Sequence, residues 1–180
     1  RPTPTLDRLG EDLTDAARSR AGALLVGHTR EYQERLDVLG RSGNPNAILV
    51  GDAGTGKEAI VRRRAFDIVR DRVPAPIFDH RVVSLSLGSL VAGADQGEIE
   101  ERVTRIVEEV VSAGNVILYI PEIHNLVRTG SAMSAADVLL PALKRGEFSV
   151  IGGTFPREFR RYHESVGDVA SAFEVIRVDE

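Results

Sequence analysis

The stretch AILVGDAGTGKEAIVRRR, residues 47–64, decides the fold of this 180-residue chain. It begins with an apolar run of four residues, continues through a glycine-rich turn and ends in a helical pattern. The turn, GDAGTGKE at residues 51–58, has the spacing G-x-x-x-x-G-K of a phosphate-binding loop, in which Ser or Thr follows the lysine. Glu58 stands at that position instead. A strand, a glycine turn and a helix in this order predict one βα unit of an α/β domain that can bind phosphate.

The composition favours one globular domain and excludes several functional classes. Hydrophobic residues make up 42% and charged residues 28% of the chain, which is close to average globular usage. The net charge of -4, with both signs interspersed, predicts neither nucleic acid nor a membrane as partner. Cysteine is absent, which excludes disulfides and thiolate chemistry. Since no apolar run is long enough to cross a membrane and no signal peptide opens the sequence, we expect a cytoplasmic protein.

Strand and helix patterns alternate along the chain. Residues 1–10 contain two prolines and are predicted to be a linker, and residues 11–39 are predicted to be helical in two pieces. Besides residues 47–50, strands are predicted at residues 81–87, 115–120, 148–153 and 174–178. Helices are predicted at residues 58–72, 97–114, 134–146, 156–164 and 165–173. This alternation predicts an α/β fold with a parallel five-stranded sheet flanked by helices.

The order of these motifs resembles the large subdomain of the first AAA+ module in Clp-type protein unfoldases and disaggregases. The resemblance covers nearly the whole chain and is strongest in the segments that follow. They are TPTLDRLGEDLT (3–14), the glycine loop, SLSLGSLVAGA (84–94), GEIEERV (97–103), NVILYIPEIHNLV (115–127), ALKRGEFSVIGGT (142–154) and REFRRY (157–162). The resemblance implies an AAA+ P-loop large subdomain over residues 11–180. The small helical lid subdomain that follows in the family is absent, so we expect an excised fragment.

The resemblance also implies a site for ATP or ADP. Glycines allow the backbone to wrap closely around a polyphosphate, and the helix that follows directs N–H groups toward it. Val26 and Gly27 belong to LLVG, the segment that lies beside the adenine in relatives. The nucleotide-binding residues implied by the family pattern are Val26, Gly27, Asp52, Ala53, Gly54, Thr55, Gly56, Lys57, Glu58 and Ala59.

Several positions that serve hydrolysis in the family carry other residues in this chain. Glu58 replaces the hydroxyl that holds magnesium, and Pro121 replaces the aspartate before the catalytic glutamate. Glu122 keeps the place of the catalytic base, although a leftover polar residue is favoured there without metal ligands. Phe155 aligns with the polar sensor, and Thr154 stands one position earlier. The pattern predicts no protein metal site and disfavours Mg²⁺.

Two further departures concern the contact between subunits and the pore. An ungapped alignment places the family's paired arginine fingers on Ser171 and Ala172. The pore loop, which carries an aromatic residue in relatives, has Asp95 and Gln96 here. The three arginines at residues 62–64 are expected to lie on a solvated helix face.

These residues support one main hypothesis and two alternatives. The first is a degenerate Clp-like nucleotide-binding module that is deficient in hydrolysis and acts in the assembly or regulation of an ATP-dependent protein unfoldase. The second is an active ATPase in which Glu58 holds the metal and Glu122 activates water. The third is a nucleotide-free protein interaction module. Expected partners are other AAA+ modules or Clp subunits in the family's hexamer, with protein substrates or adaptors.

Overall fold

The computed structural model describes residues 2–19, 30–41, 45–127, 139, 141–162 and 173–179. Its strands are β1 (Glu11–Asp12), β2 (Ala47–Val50), β3 (Arg81–Ser84), β4 (Val116–Ile120), β5 (Ser149–Thr154) and β6 (Glu174–Arg177). Its helices are α1 (Pro4–Leu9), α2 (Leu13–Ser19), α3 (Arg30–Leu36), α4 (Val38–Arg41), α5 (Lys57–Val69), α6 (Leu87–Val91), α7 (Gln96–Ala113) and α8 (Pro156–Tyr162). Short 3-10 turns lie at Ala75–Ile77 and Ile123–Val127, and residues 139 and 141–144 are helical.

The described strands form one sheet in the order β1-β3-β4-β5-β2-β6. Every pairing is parallel except that of β1, which runs antiparallel to β3. The predicted α/β fold with helices around a mostly parallel sheet is confirmed, but the sheet has six strands where five were predicted. The additional strand consists of two acidic residues, Glu11 and Asp12, whose sequence has no apolar alternation to indicate a strand.

Alternate residues of β2, β3, β4 and β5 pack into two separate cores. On one face, Val83, Leu118 and Val150 pack with α1, α6 and α7. On the other face, Leu49 and Ile117 pack with α2 and α5. Because β-strand side chains alternate between faces, a strand buried on both sides has the continuous apolar sequence seen in AILV and VILYI. The sheet is therefore covered by helices on both faces.

The opening segment is part of the folded domain. Leu6 of α1 is completely buried in the first core, and α1 packs on α7. The backbone N–H groups of Thr5 and Leu6 donate to the Glu109 carboxylate of α7 at 2.9 and 3.0 Å. A carboxylate at the start of a helix satisfies N–H groups that have no partner within the helix. The burial and hydrogen bonds of residues 2–10, which the structure describes, thus differ from what the predicted linker over residues 1–10 leads one to expect.

Parallel pairing brings the ends of three strands together. β5 lies between β2 and β4 with the same direction as both, so the segments that follow these strands lie at one edge of the sheet. Those segments are the glycine loop, residues 121–122 and residue 155. In open α/β sheets, ligands bind at the carboxyl ends of the strands. The helix predicted at residues 165–173 lies outside the described residues apart from residue 173. None of the described helices has the length and apolarity that crossing a membrane requires.

Candidate nucleotide-binding site

The loop between β2 and α5 has a backbone shape that depends on glycine. Gly54 and Gly56 have φ angles of 83° and 94°, in the region that L side chains rarely adopt. A Cβ atom built on either residue would meet no atom within 4 Å, so the space above both glycines is open. Thr55 closes the turn between them, because its N–H and Oγ1 donate to the Asp52 carbonyl at 3.2 and 2.9 Å. The loop therefore presents an open backbone surface before the first turn of α5.

Neighbouring strands fix the base of this loop. The Gly51 N–H donates to the Thr154 carbonyl of β5 at 3.1 Å, and the Val178 N–H donates to the Val50 carbonyl at 2.8 Å. A Cβ on Gly51 would lie 2.7 Å from the Val178 carbonyl oxygen and 2.5 Å from Thr55 Oγ1. Glycine is therefore required at position 51 because the end of β6 passes close to the loop.

The Lys57 ammonium lies in the loop. Its Nζ donates to the carbonyls of Gly51, of Thr154 at 3.2 Å and of Asp52 at 3.4 Å. Burial lowers the pKa of Lys57, and the negative charges of Asp52 and Glu122 oppose this shift. The loop thus brings together an ammonium and the N–H groups at the start of a helix, which are groups that suit an anion such as a polyphosphate.

Glu58 is engaged on the outer side of α5. Its carboxylate lies 3.2 Å from Arg62, whose guanidinium is also 3.4 Å from Glu11 of β1. The Glu58 side chain is 62% exposed, so this pairing is a solvated one. Tyr119 of β4 lies buried nearby, and burial together with the negative charge of Glu58 raises its pKa to about 12. The position of Tyr119 beside Glu58 could not be predicted from the sequence, because an aromatic residue inside an apolar strand gives no signal beyond the strand.

The expectation of a solvated arginine face on α5 is wrong for Arg63. Its side chain is 16% exposed, and its Nε donates to both carboxylate oxygens of Asp67 at 3.1 and 3.0 Å. Burial raises the pKa of Asp67, and the charge and hydrogen bonds of Arg63 oppose that shift. Burial also disfavours the charged form of Arg64 and so lowers its pKa. This part of α5 therefore contributes to the fold rather than to a phosphate site.

The residues that follow β4 and β5 surround Lys57. Glu122 is exposed and has a φ angle of 55°, which is uncommon for a residue other than glycine. Thr154 is buried, and its Oγ1 pairs with His124 Nδ1 at 2.9 Å. The ring centroid of Phe155 lies 4.4 Å from Lys57 Nζ. Phe155, which was predicted to stand at the family's sensor position, is thus the aromatic residue beside the lysine.

A cavity of about 370 Å³ adjoins the loop. Its lining comes from α3, the loop, α5 and the segment after β6, and consists of Arg35, Leu36, Gly54, Thr55, Gly56, Ile60, Val178 and Asp179. Ligand pockets usually occupy about 300–1,000 Å³, so this cavity lies in the lower part of the range for small-molecule sites. Five of these residues lie outside the predicted nucleotide-binding set: Arg35, Leu36, Ile60, Val178 and Asp179. Val178 and Asp179 adjoin the loop because β6 runs parallel to β2.

Several predicted positions lie outside the described residues. They are Val26 and Gly27 beside the expected adenine, and Ser171 and Ala172 at the arginine-finger positions. Within the described ranges, no three side chains of His, Cys, Asp or Glu come together as a group that could hold a metal ion. The roles of individual residues in binding a nucleotide stay predictions.

Comparison with known proteins identifies the family. The family described as ATPases associated with various cellular activities (AAA) matches residues 47–160, which include the loop and the strands around it. The chain belongs to the AAA family. It is 43% identical to the ATP-dependent Clp protease ATP-binding subunit ClpC of Staphylococcus epidermidis and 39% identical to the chaperone protein ClpB of Oceanobacillus iheyensis. Each alignment covers 99% of this chain and 22% of the relative, so the chain spans about a fifth of their length.

Solved structures of Hsp104 superpose on nearly the whole of this chain. Hsp104 with ATPγS and FITC casein superposes with a TM-score of 0.81 at 35% identity, over 98% of this chain and 31% of that one. The ADP complex of Hsp104 from S. cerevisiae gives a TM-score of 0.80 at 35% identity, over 97% and 25%. The prediction of a Clp-type AAA+ module is confirmed. Loss of hydrolysis and a cytoplasmic location stay predictions.

Proposed function

We propose that this AAA module binds ADP or ATP at residues 51–58 without readily hydrolysing it, and acts in the assembly or regulation of an ATP-dependent protein unfoldase. The observation that carries the proposal is a contrast within the loop. Gly54 and Gly56 leave the loop backbone open, and Lys57 supplies a positive charge within the loop, whereas the Glu58 carboxylate pairs with Arg62. Lys57 and the N–H groups at the start of α5 would hold the phosphates. Bound nucleotide would supply negative charge to the loop and stabilise the folded module.

Slow or absent hydrolysis is inferred from the charges around the loop. Phosphoryl transfer is catalysed by positioned charge, above all by metal ions and an arginine finger. Pro121 has no side-chain oxygen for a metal, and Phe155 presents a ring where the family has a polar sensor. An arginine finger alone accounts for a factor of about 10³–10⁵ in rate, or about 4–7 kcal/mol of barrier. Because Ser171 and Ala172 stand at the predicted arginine-finger positions, we expect the rate of hydrolysis to fall by a factor of at least about 10³.

A role in assembly or regulation follows from the predicted pore loop. Asp95 accepts a hydrogen bond from the Glu98 N–H at 2.9 Å and is the N-cap of α7. Neither Asp95 nor Gln96 offers an aromatic side chain for gripping a polypeptide. The relatives named above are a Clp protease subunit and a chaperone, and one Hsp104 structure contains casein. We therefore propose other AAA+ modules or Clp subunits as partners, with protein substrates or adaptors bound elsewhere in the assembly.

Binding is tested by titrating the chain with a fluorescent ADP analogue and with ATP, each with and without Mg²⁺. We expect saturable binding that Lys57→Ala removes and that Lys144→Ala, at the exposed second lysine, leaves unchanged. Binding that survives Lys57→Ala, or no binding at all, would contradict the proposal. Complete absence of binding would favour a nucleotide-free interaction module.

Hydrolysis is tested by phosphate release in Mg²⁺ and ATP, comparing the chain with Glu122→Gln. We expect release at the background rate for both proteins, because Glu58 and Pro121 stand at the two positions that hold the metal in the family. Mg²⁺-dependent release that disappears in Glu122→Gln would establish the active-ATPase alternative.

A further inference from the structure

The Lys57 ammonium makes a contact that a phosphate-binding lysine does not need. Besides the three carbonyl oxygens around it, Nζ lies 4.4 Å from the centroid of the Phe155 ring. A cation within about 6 Å of a ring face is attracted by the negative charge of the π system. The lysine is therefore held by polar and aromatic contacts that require no nucleotide.

The Phe155 ring is itself held in place. It packs against the His124 ring at a centroid distance of 5.6 Å, tilted by 52°. His124 is buried, and its Nδ1 pairs with Thr154 Oγ1 at 2.9 Å. The residue before Phe155 thus anchors the histidine, and the histidine supports the ring that contacts Lys57. A side chain confined between two neighbours loses little freedom when it contacts the ammonium, which favours the contact.

We propose that Phe155 weakens nucleotide binding by this module, because its ring stabilises the Lys57 ammonium in the position it occupies without a nucleotide. The inference rests on the proposed nucleotide binding and adds a regulatory contact to that site. Phe155 acts through Lys57 and is a positioning residue. A phosphate must draw the ammonium away from the ring. The cation–π attraction that is lost in this movement reduces the free energy of nucleotide binding.

The contact predicts a measurable change in affinity. Cation–π attraction amounts to about 0.5–2 kcal/mol, which corresponds to a factor of about 2–30 in Kd. Phe155→Leu removes the π system and keeps an apolar side chain, so we expect ADP to bind about 2- to 30-fold more tightly. Phe155→Tyr keeps the ring, so we expect the Kd of the original protein.

A second measurement needs no nucleotide. The sequence contains only two lysines, Lys57 and the exposed Lys144, so each can be followed separately by mass spectrometry during acylation with an amine-reactive reagent. Acylation requires the uncharged amine, and a ring that stabilises the ammonium slows it. We expect Phe155→Leu to raise the Lys57 rate relative to Lys144, and Phe155→Tyr to leave that ratio unchanged.

The outcomes separate this inference from the proposed function. Tighter ADP binding and faster Lys57 acylation in Phe155→Leu, with neither in Phe155→Tyr, would support the inference. Saturable binding with equal Kd in all three proteins would overturn it and leave the proposed function standing. Absence of binding in all three would overturn both. Equal loss of affinity in both variants would assign Phe155 a packing role only and overturn the inference as well.

Discussion

Leu6→Ala is expected to lower the free energy of unfolding by about 3 kcal/mol. Leu6 is completely buried against the core that α7 and the sheet share, in a segment whose prolines suggest a linker in the sequence. Replacing a buried leucine by alanine removes apolar contacts and leaves a cavity, with measured costs of about 2.7–5.0 kcal/mol in another protein. α1 has only six residues and lies at one side of the domain, so it can shift to fill part of the cavity. The lower part of that range is therefore expected.

The change is measured by urea unfolding of the whole chain, followed by circular dichroism, and by thermal unfolding. For a domain of this size, 1 kcal/mol corresponds to a shift of about 2–4 °C in Tm, so Leu6→Ala should lower Tm by about 6–12 °C. Arg8→Ala on the exposed side of the same helix is the matched control and should change stability by less than about 0.5 kcal/mol. If Leu6→Ala has as small an effect as this control, α1 does not belong to the cooperative core, and the linker prediction stands.

Three further predictions concern helix ends and an ion pair. Asp95→Ala should cost about 1 kcal/mol by removing the cap from the Glu98 N–H, with Asp95→Asn nearly neutral, and equal losses in urea unfolding would contradict a capping role. Gly114→Ala, at φ 74° after α7, should cost about 1 kcal/mol without changing nucleotide affinity. Burial raises the pKa of Asp7, but hydrogen bonds, chiefly from Arg81, outweigh burial and leave the pKa lowered. The stabilisation from Asp7 is therefore present above the pKa of the unfolded carboxyl and is lost as pH falls through the lower folded pKa. Asp7→Asn should cost roughly 0.5 kcal/mol at pH 7, and urea unfolding over a pH series should show this cost decreasing as pH falls through the folded pKa; a cost that does not change with pH would exclude the ion pair as its source.

Much of the fold could be predicted because its signals are local. The apolar strands and the helix at residues 97–114 are visible as runs and periodicity, and each has a described counterpart in the sheet or beside it. β1 could not be predicted, since Glu11 and Asp12 are held in a strand only by pairing with Val83 and Ser84 far along the chain. The burial of Leu6 could not be predicted for the same reason, because α7 supplies both the surface it packs on and the carboxylate that caps α1.

In the candidate site, too, some features could be predicted from the sequence and others could not. The sequence by itself determined the loop and its lysine, because residue identity and spacing within one loop need no knowledge of distant segments. The replacement of hydrolytic residues at positions 58, 121 and 155 is a prediction from the resemblance to the family. Only the tertiary structure decided where those side chains face. Glu58 turns to Arg62, and Phe155 turns to Lys57. These orientations depend on β2, β4 and β5 ending at one edge of the sheet, where parallel pairing brings together residues about 100 positions apart in the chain.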